Sequence, residues 1–295
     1  MQVKSKMNWV PYFFILPAFI IHLFIIALPS LSTLYLSLFE WNGLGNPTFI
    51  GLANFVEIFT SDRVVRVAIA NNLRWMAIFM TVPIFMGFIV AVFISKTKRL
   101  QMLFRTAFFL PFVLSAAVVG AIWTAYFNPF HGINTMFRAW GWDNLGSILW
   151  IADPTIAIYS IAFVDNWRWW GFVMVIFLGA LQQVDPSIYE SARVDGVGRI
   201  QEVFYISLPC IKRTVAFMIV MTVMWSFLTF DYVWVMTQGG PAHVTEILST
   251  WIYKNAFIRF NAGYANALVV VQSIICIGFY FVQRYIIKKG RLEEE

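Results

Sequence analysis

The chain of 295 residues is 60% hydrophobic and only 12% charged, with a net charge of +6. Aqueous globular domains carry about a quarter charged residues and under half apolar ones, so this composition excludes a soluble fold and makes the bilayer the solvent for the apolar surface. The basic balance does not indicate a nucleic-acid partner: no basic stripe with aromatic platforms is present, and membrane proteins retain Lys and Arg in their cytoplasmic loops.

A stretch of about 20 apolar residues crosses a ~30 Å hydrocarbon core. Such stretches fall near residues 9–39, 71–95, 103–127, 155–181, 212–237 and 264–287. They predict an all-α, polytopic transmembrane helical bundle of six spans, forming one membrane domain over 1–295 in contact with lipid. The first stretch, behind Lys4 and Lys6, is too long for a signal-peptide core and lacks a small-residue cleavage site, so a retained span is expected. Pro17, Pro29, Pro83 and Pro111 lie inside spans, where proline kinks a helix and neighbours satisfy the freed carbonyl. Residues 40–70 and 128–154 read as outer loops or short interfacial helices, and 96–102 as a tight basic inner turn.

With the N-terminus inside, the cytoplasmic set is Lys4, Lys6, Lys96, Lys98, Arg99, Arg105, Arg193, Arg199, Lys212, Arg213, Arg284, Lys288, Lys289 and Arg291. It outnumbers Arg63, Arg66, Arg74, Arg138, Lys254 and Arg259 on the other side, which predicts both termini in the cytoplasm. Cys210 and Cys276 lack any Cys-x-x-Cys spacing, and His22, His131 and His243 are scattered. Neither a disulfide framework nor a metal site is expected.

One hydrophilic segment, 184–209, breaks the pattern. Asp185 suits an N-cap and Pro186 the first helical position, so a short helix is expected to about Val194. Gly196 and Gly198 permit a sharp turn, including φ > 0. A second helix is expected from Arg199, with Ile200, Val203, Phe204 and Leu208 on one face and Gln201 and Glu202 on others. Pro209 helps to end it before the fifth span. Two short helices projecting from a membrane have little to bury against themselves, and fit a groove on another protein. Glu190, Arg193 and Asp195 offer polar fixing, while Ala192 and Gly196 permit close approach. Asp195 and Gly196 also serve as plain turn residues.

The spacing Glu190-Ser191-Ala192-x-x-x-Gly196, followed after nine residues by Ile206-x-Leu208-Pro209, resembles the signature loop of binding-protein-dependent ABC importer permeases. The departure is Ser191, where the family usually has Ala. A second stretch resembles the carbohydrate-uptake branch: Phe230-Asp231-Tyr232, Met236 through Pro241, Thr245, Tyr253, Ala256-Phe257 and Gly263-Tyr264-Ala265, together with Phe109-Leu110-Pro111. The resemblance covers roughly 70–290. It implies a type I importer fold and a cytoplasmic coupling helix that docks into an ATPase subunit. It also implies a complex of two permeases, often non-identical, two ATPase subunits and an extracytoplasmic substrate-binding protein. ATP and magnesium would then belong to the ATPase partners. Consistently, the chain has no Gly-x-x-x-x-Gly-Lys-[Ser/Thr] phosphate loop, and no catalytic residues are expected in it.

Ionisable residues inside spans are costly and mark a cavity or a partner. Asp165 and Arg168 are spaced for an ion pair within the fourth span, accompanied by Asn166, Trp167, Trp169 and Trp170. Trp225, Thr229, Asp231 and Tyr232 fall in the outer half of the fifth. Together they offer hydrogen-bonding groups for sugar hydroxyls and aromatic faces for C–H patches. A structural pair and interfacial anchors are the competing reading of these residues. Rival functions are the same machinery importing a polyol, a glycerol phosphate or an oligosaccharide, and a secondary transporter, which needs repeat-related broken helices not evident here. A membrane enzyme would need clustered ligands or a nucleophile with its base.

Overall fold

The computed structural model describes residues 10–97 and 99–292. Lys4, Lys6 and Lys98, expected on the cytoplasmic side, lie outside the described residues. The chain divides into two compact units, one comprising residues up to Ser61 with Ile252–Ser273, the other Asp62–Trp251 with the residues from Ile274.

In the first unit, α1 (Val10–His22), a π-helical turn (Leu23–Ala27) and α2 (Leu28–Leu36) run on as one apolar rod. Pro29 lies inside this rod just after the π-helical turn, where its missing N–H removes one bond to the preceding turn. No residue from 12 to 36 is buried. A two-stranded hairpin, β1 (Phe39–Glu40) with β2 (Thr48–Phe49), pairs Phe39 with Phe49 and Glu40 with Thr48. Asn54, on α3 (Ala53–Thr60), fixes it from below, its Nδ2 donating to the carbonyls of Ser37 and Phe39 at 2.8 and 3.0 Å.

The second unit is built around α4 (Arg63–Ser95), which begins eight residues before the expected second span. The extension has a local cause: the Asp62 side chain accepts from the amides of Val64 and Val65, at 2.7 and 3.1 Å, and so caps the helix. The expected third span is not one helix. α5 (Gln101–Val113) and α6 (Ala116–Tyr126) meet at 90°. Leu114 and Ser115 are both extended, and Ser115 caps α6 through the Val118 amide. Thus the break falls three residues after Pro111 rather than at it. Short helices α7 (Ile133–Ala139) and α8 (Asp143–Gly146) precede α9 (Ala157–Leu181).

The inner loop carries α10 (Pro186–Val194), α11 (Arg199–Glu202), a π-helical turn (Val203–Ser207) and α12 (Leu208–Cys210). The fifth span is also interrupted, as α13 (Lys212–Leu228) and α14 (Asp231–Met236) either side of an extended Thr229. The chain ends in α15 (Leu248–Tyr253), a third π-helical turn (Lys254–Ile258) and α16 (Ala262–Leu292). Among the described residues five helices are long and apolar enough to cross a membrane, or six if the bent α5–α6 pair counts as one span.

The core of this unit lies between α4 and α9, with Trp75, Phe79, Val173, Met174 and Phe177 fully buried. Glycines set the spacing. A Cβ on Gly87 would stand 2.9 Å from Val173 Cγ1, and one on Gly171 would run into the carbonyl oxygen of Phe108. Small residues that let backbones approach are a main source of helix association where lipid removes the hydrophobic drive. Gly171→Ala should therefore push α5 off α9 and lower the melting temperature of the detergent-solubilised protein by several degrees, an overpacking cost of about 1–3 kcal/mol. An unchanged melting temperature would mean that α5 is not seated on that glycine.

Candidate functional site

The inner loop is shaped by its caps. The Asp185 side chain accepts from the Ser187 amide at 2.9 Å, which holds its carboxyl below the ordinary carboxylate range. A depressed carboxylate stabilises the helix start above its unfolded pKa of about 3.9 and loses that effect only as pH falls below it, so the cap is intact at neutral pH. At the other end Gly196 adopts φ +75°, and the amides of Gly196 and Val197 return to the carbonyls of Arg193 and Ala192. Gly198 then starts the second helix, its amide donating to Gln201 Oε1 at 3.0 Å.

Glu190, Ser191, Asp195, Gly196, Gly198 and Pro209 are exposed, and Ile206 and Leu208 are half-buried. Ala192 is buried, and so faces the protein rather than a partner. A side chain at Gly196 would meet open space. The expected apolar face of the second helix is not the buried one. Ile200 and Phe204 are 75% and 52% exposed, whereas Glu202 is buried. Ile200 and Glu202 both lie on α11, about 200° apart around its axis, so turning the carboxylate inward leaves Ile200 outward. Glu202 turns inward to meet Lys96, the C-cap of α4, at 3.0 Å. Tyr189 and Ser207 hydroxyls lie 3.4 Å apart and brace the two arms of the loop. With Val194 88% exposed at the tip, the loop presents apolar and acidic groups outward while bonded to the end of a span.

The second cluster sits where α9 passes the breaks. Asp165 is fully buried, and its Oδ2 accepts from Trp225 Nε1 at 3.1 Å. Arg168 does not form the expected ion pair with it. Its Nε donates to the Leu114 carbonyl at 2.9 Å, capping α5 at the break, and its guanidinium lies 4.8 Å from the Phe112 ring centroid. Asp165 and Arg168 nonetheless remain within electrostatic reach of each other and of Tyr232. Trp169 stacks on Trp225 with centroids 4.9 Å apart. Trp167 packs edge-on against Trp123 instead. Asp165 Oδ1, Asn166 Oδ1, Arg168 Nη1, Tyr232 OH and the indole nitrogens of Trp75 and Trp169 are buried without a close hydrogen bond, although Asp165, Trp75, Tyr232 and Arg168 face one another. Buried polar groups gathered without close partners in a membrane segment are costly unless water or a polar group meets them. Thr229 is buried, with its carbonyl taken by the Ser249 hydroxyl. Asp231 is exposed at the start of α14 and does not join the cluster.

Three buried polar groups escaped the sequence reading. Trp75 gave no local signal. Asn71 and Asn72 did, as adjacent amides entering an apolar helix. Asn71 Nδ2 donates to the carbonyls of Val244 and Glu246, at 2.7 and 2.9 Å. Asn72 donates to the Ser226 carbonyl and accepts from the Leu248 amide. These bonds hold the 237–248 loop, in which Gln238, Ala242 and His243 take positive φ and His243 Nδ1 meets the buried Glu246 at 2.9 Å.

The described residues thus form a bundle of membrane-length helices, some of them broken, with a braced two-helix loop at one end of α4. Residues 73–291 match the family of binding-protein-dependent transport system inner membrane components, and the chain belongs to that family. It is 35% identical to the probable ABC transporter permease protein YurN of Bacillus subtilis, over 96% of this chain and 98% of that one. The lactose transport system permease protein LacF of Rhizobium radiobacter is 31% identical, over 90% of this chain and 88% of its own. The fold is that of a permease chain in a bacterial alginate ABC transporter crystallised with an alginate pentasaccharide-bound periplasmic protein (TM-score 0.83, 22% identity, 94% of this chain and 93% of that one). This chain is therefore a multi-pass inner-membrane permease of an ABC transporter.

The Lys96–Glu202 contact is asymmetric, with side chains 39% and 6% exposed. Lys96→Met strands a buried carboxylate and should cost about 3 kcal/mol. Glu202→Gln leaves an ammonium that can hydrate, and should cost about 1 kcal/mol. Thermal or denaturant unfolding of the two variants in detergent would show this order, whereas equal losses would show that the lysine head does not hold the loop.

Proposed function

We propose that this chain forms half of the pathway of an ATP-driven importer of a sugar or oligosaccharide, and is driven through residues 184–209 by ATPase subunits that seat the loop. The observation that carries the reading is the loop itself: a turn at Gly196 with open space around it, exposed Val194 and Ile200, and an ion pair with a buried carboxylate tying its second arm to α4. Glu190, Ser191, Asp195 and Gly198 lie on the exposed side, where a groove would contact them. A lever needs that combination, with a free tip and a fixed root.

The assembly would comprise a second, non-identical permease, two ATPase subunits carrying ATP and magnesium, and an extracytoplasmic binding protein, with both termini of this chain cytoplasmic. The unburied rod of residues 12–36 supports a further partner as well as lipid. A sugar as cargo is supported by the lactose permease above, and by relatives named for starch degradation products in Thermoanaerobacterium thermosulfurigenes and for diacetylchitobiose in Streptomyces coelicolor. The cluster of Asp165, Asn166, Arg168, Trp225 and Tyr232 supports it chemically: paired donors and acceptors beside an indole stack can take hydroxyls and a C–H face in turn.

Gly196→Trp should leave the subunit inserted in the membrane but reduce uptake at least tenfold, because the bulky side chain occupies the tip and the positive φ is lost. Wild-type uptake with normal ATPase stimulation in this variant would remove the docking assignment. Asp165→Ala should change the apparent affinity or the range of sugars taken up, by about tenfold if one charged hydrogen bond to solute is lost. Unchanged kinetics for every solute transported by the wild type would make Asp165 a structural residue.

A further inference from the structure

A charged stripe on α4 is used by none of these roles. Arg63, Arg66 and Arg74, with Val67 and Ala70 between them, line an open groove of about 380 Å³. All three arginines are exposed. They occupy the face of the helix turned away from the buried Val65, Ala68, Asn72, Trp75 and Phe79. Arg74 Nη1 donates to the Asn71 amide oxygen at 2.9 Å. Among the described residues none of the three pairs with a carboxylate. Clustered like charges held without counter-charges destabilise a surface unless something anionic meets them.

Their position narrows what that is. The 33 residues of α4 extend about 50 Å, well beyond a ~30 Å hydrocarbon core. Its C-terminal end is bonded to the inner loop through Lys96 and Glu202, so the arginines stand at the end remote from that loop. Arg63 and Arg74 are about 16 Å apart along the axis. A headgroup layer is only about 5–8 Å deep, so lipid phosphates can serve one end of the stripe but not its length. Arginine is the cation suited to bidentate carboxylate contacts and is enriched at protein interfaces.

We propose that Arg63, Arg66 and Arg74 dock an acidic surface of the extracytoplasmic binding protein, steering it to the permease. The proposal rests on the importer reading and adds the docking residues and the charge of the partner surface. Steering of this kind acts mainly on association and weakens as salt screens it, with a Debye length of about 8 Å at physiological ionic strength.

The test uses the assembled transporter in nanodiscs with its cognate binding protein, measuring ATPase stimulation against binding-protein and salt concentration. The triple variant Arg63→Gln/Arg66→Gln/Arg74→Gln should raise the half-saturating binding-protein concentration about tenfold at low salt and flatten its salt dependence. The corresponding triple Lys variant should keep most of the wild-type behaviour. Should the Gln variant fail to assemble, Arg66→Glu alone should show the shift, and an acidic-to-Lys exchange on the binding protein should reverse it. Unchanged half-saturation and salt slope would overturn the assignment. So would a shift that follows the anionic-lipid content of the nanodisc, or one seen only when the binding protein carries an acidic solute. A wild-type complex that its binding protein does not stimulate would overturn the importer reading, and this assignment with it.

Discussion

The arrangement of the membrane bundle depends on where two freed backbone carbonyls find donors. An unsatisfied carbonyl in a hydrocarbon medium costs several kcal/mol, so a span can break only where the protein supplies a partner. Here the Leu114 carbonyl takes Arg168 Nε, and the Thr229 carbonyl takes the Ser249 hydroxyl. The first of these bonds holds a guanidinium on α9 by one nitrogen and leaves Nη1 buried without a close hydrogen bond, turned to the Tyr232 side. The second break lets α14 restart at Asp231, which brings Tyr232 into electrostatic reach of Asp165 and Arg168. The residues that stabilise the breaks therefore also assemble the polar cluster.

The same helix reaches both ends of this unit. α4 packs on α9 at glycine distance, near Gly87. Its C-terminal end holds the inner loop through Lys96 and Glu202, and its other half holds the 237–248 loop through Asn71 and Asn72. Close-packed interiors have low compressibility and transmit displacement rather than absorb it. A helix bonded at both ends and packed tightly between them can carry a movement of the inner loop to the opposite face, which the proposed drive requires.

The helical character and the approximate spans were legible because about 20 apolar residues leave few alternatives in a membrane. The inner loop was legible down to its Asp185 cap and Gly196 turn, since both rest on local backbone chemistry. What escaped was set by tertiary bonds. The 90° bend at Leu114 depends on Arg168, 54 residues away, and proline position alone misplaced it. The buried side of the second loop helix was misassigned because Glu202 turns inward to Lys96, a partner on α4 that periodicity within the loop cannot reveal. Asp165 and Arg168 are spaced for an ion pair within one helix, but their bonds go to Trp225 and to a backbone carbonyl, partners that sequence spacing within one helix cannot reveal.

The inward turn of Glu202 also bears on how the loop can work. With Glu202 rather than Phe204 turned inward, the root of the loop is fixed by a directional, charge-assisted contact instead of by apolar packing alone. Apolar contacts are non-directional and tolerate sliding, whereas an ion pair with one partner buried is strongly disfavoured once separated. Phe204 and Ile200 are left outward, where they add apolar area for a partner without loosening the root. The inward placement of Glu202 thus separates two requirements that a single apolar face would combine: adhesion to the permease and adhesion to whatever moves it.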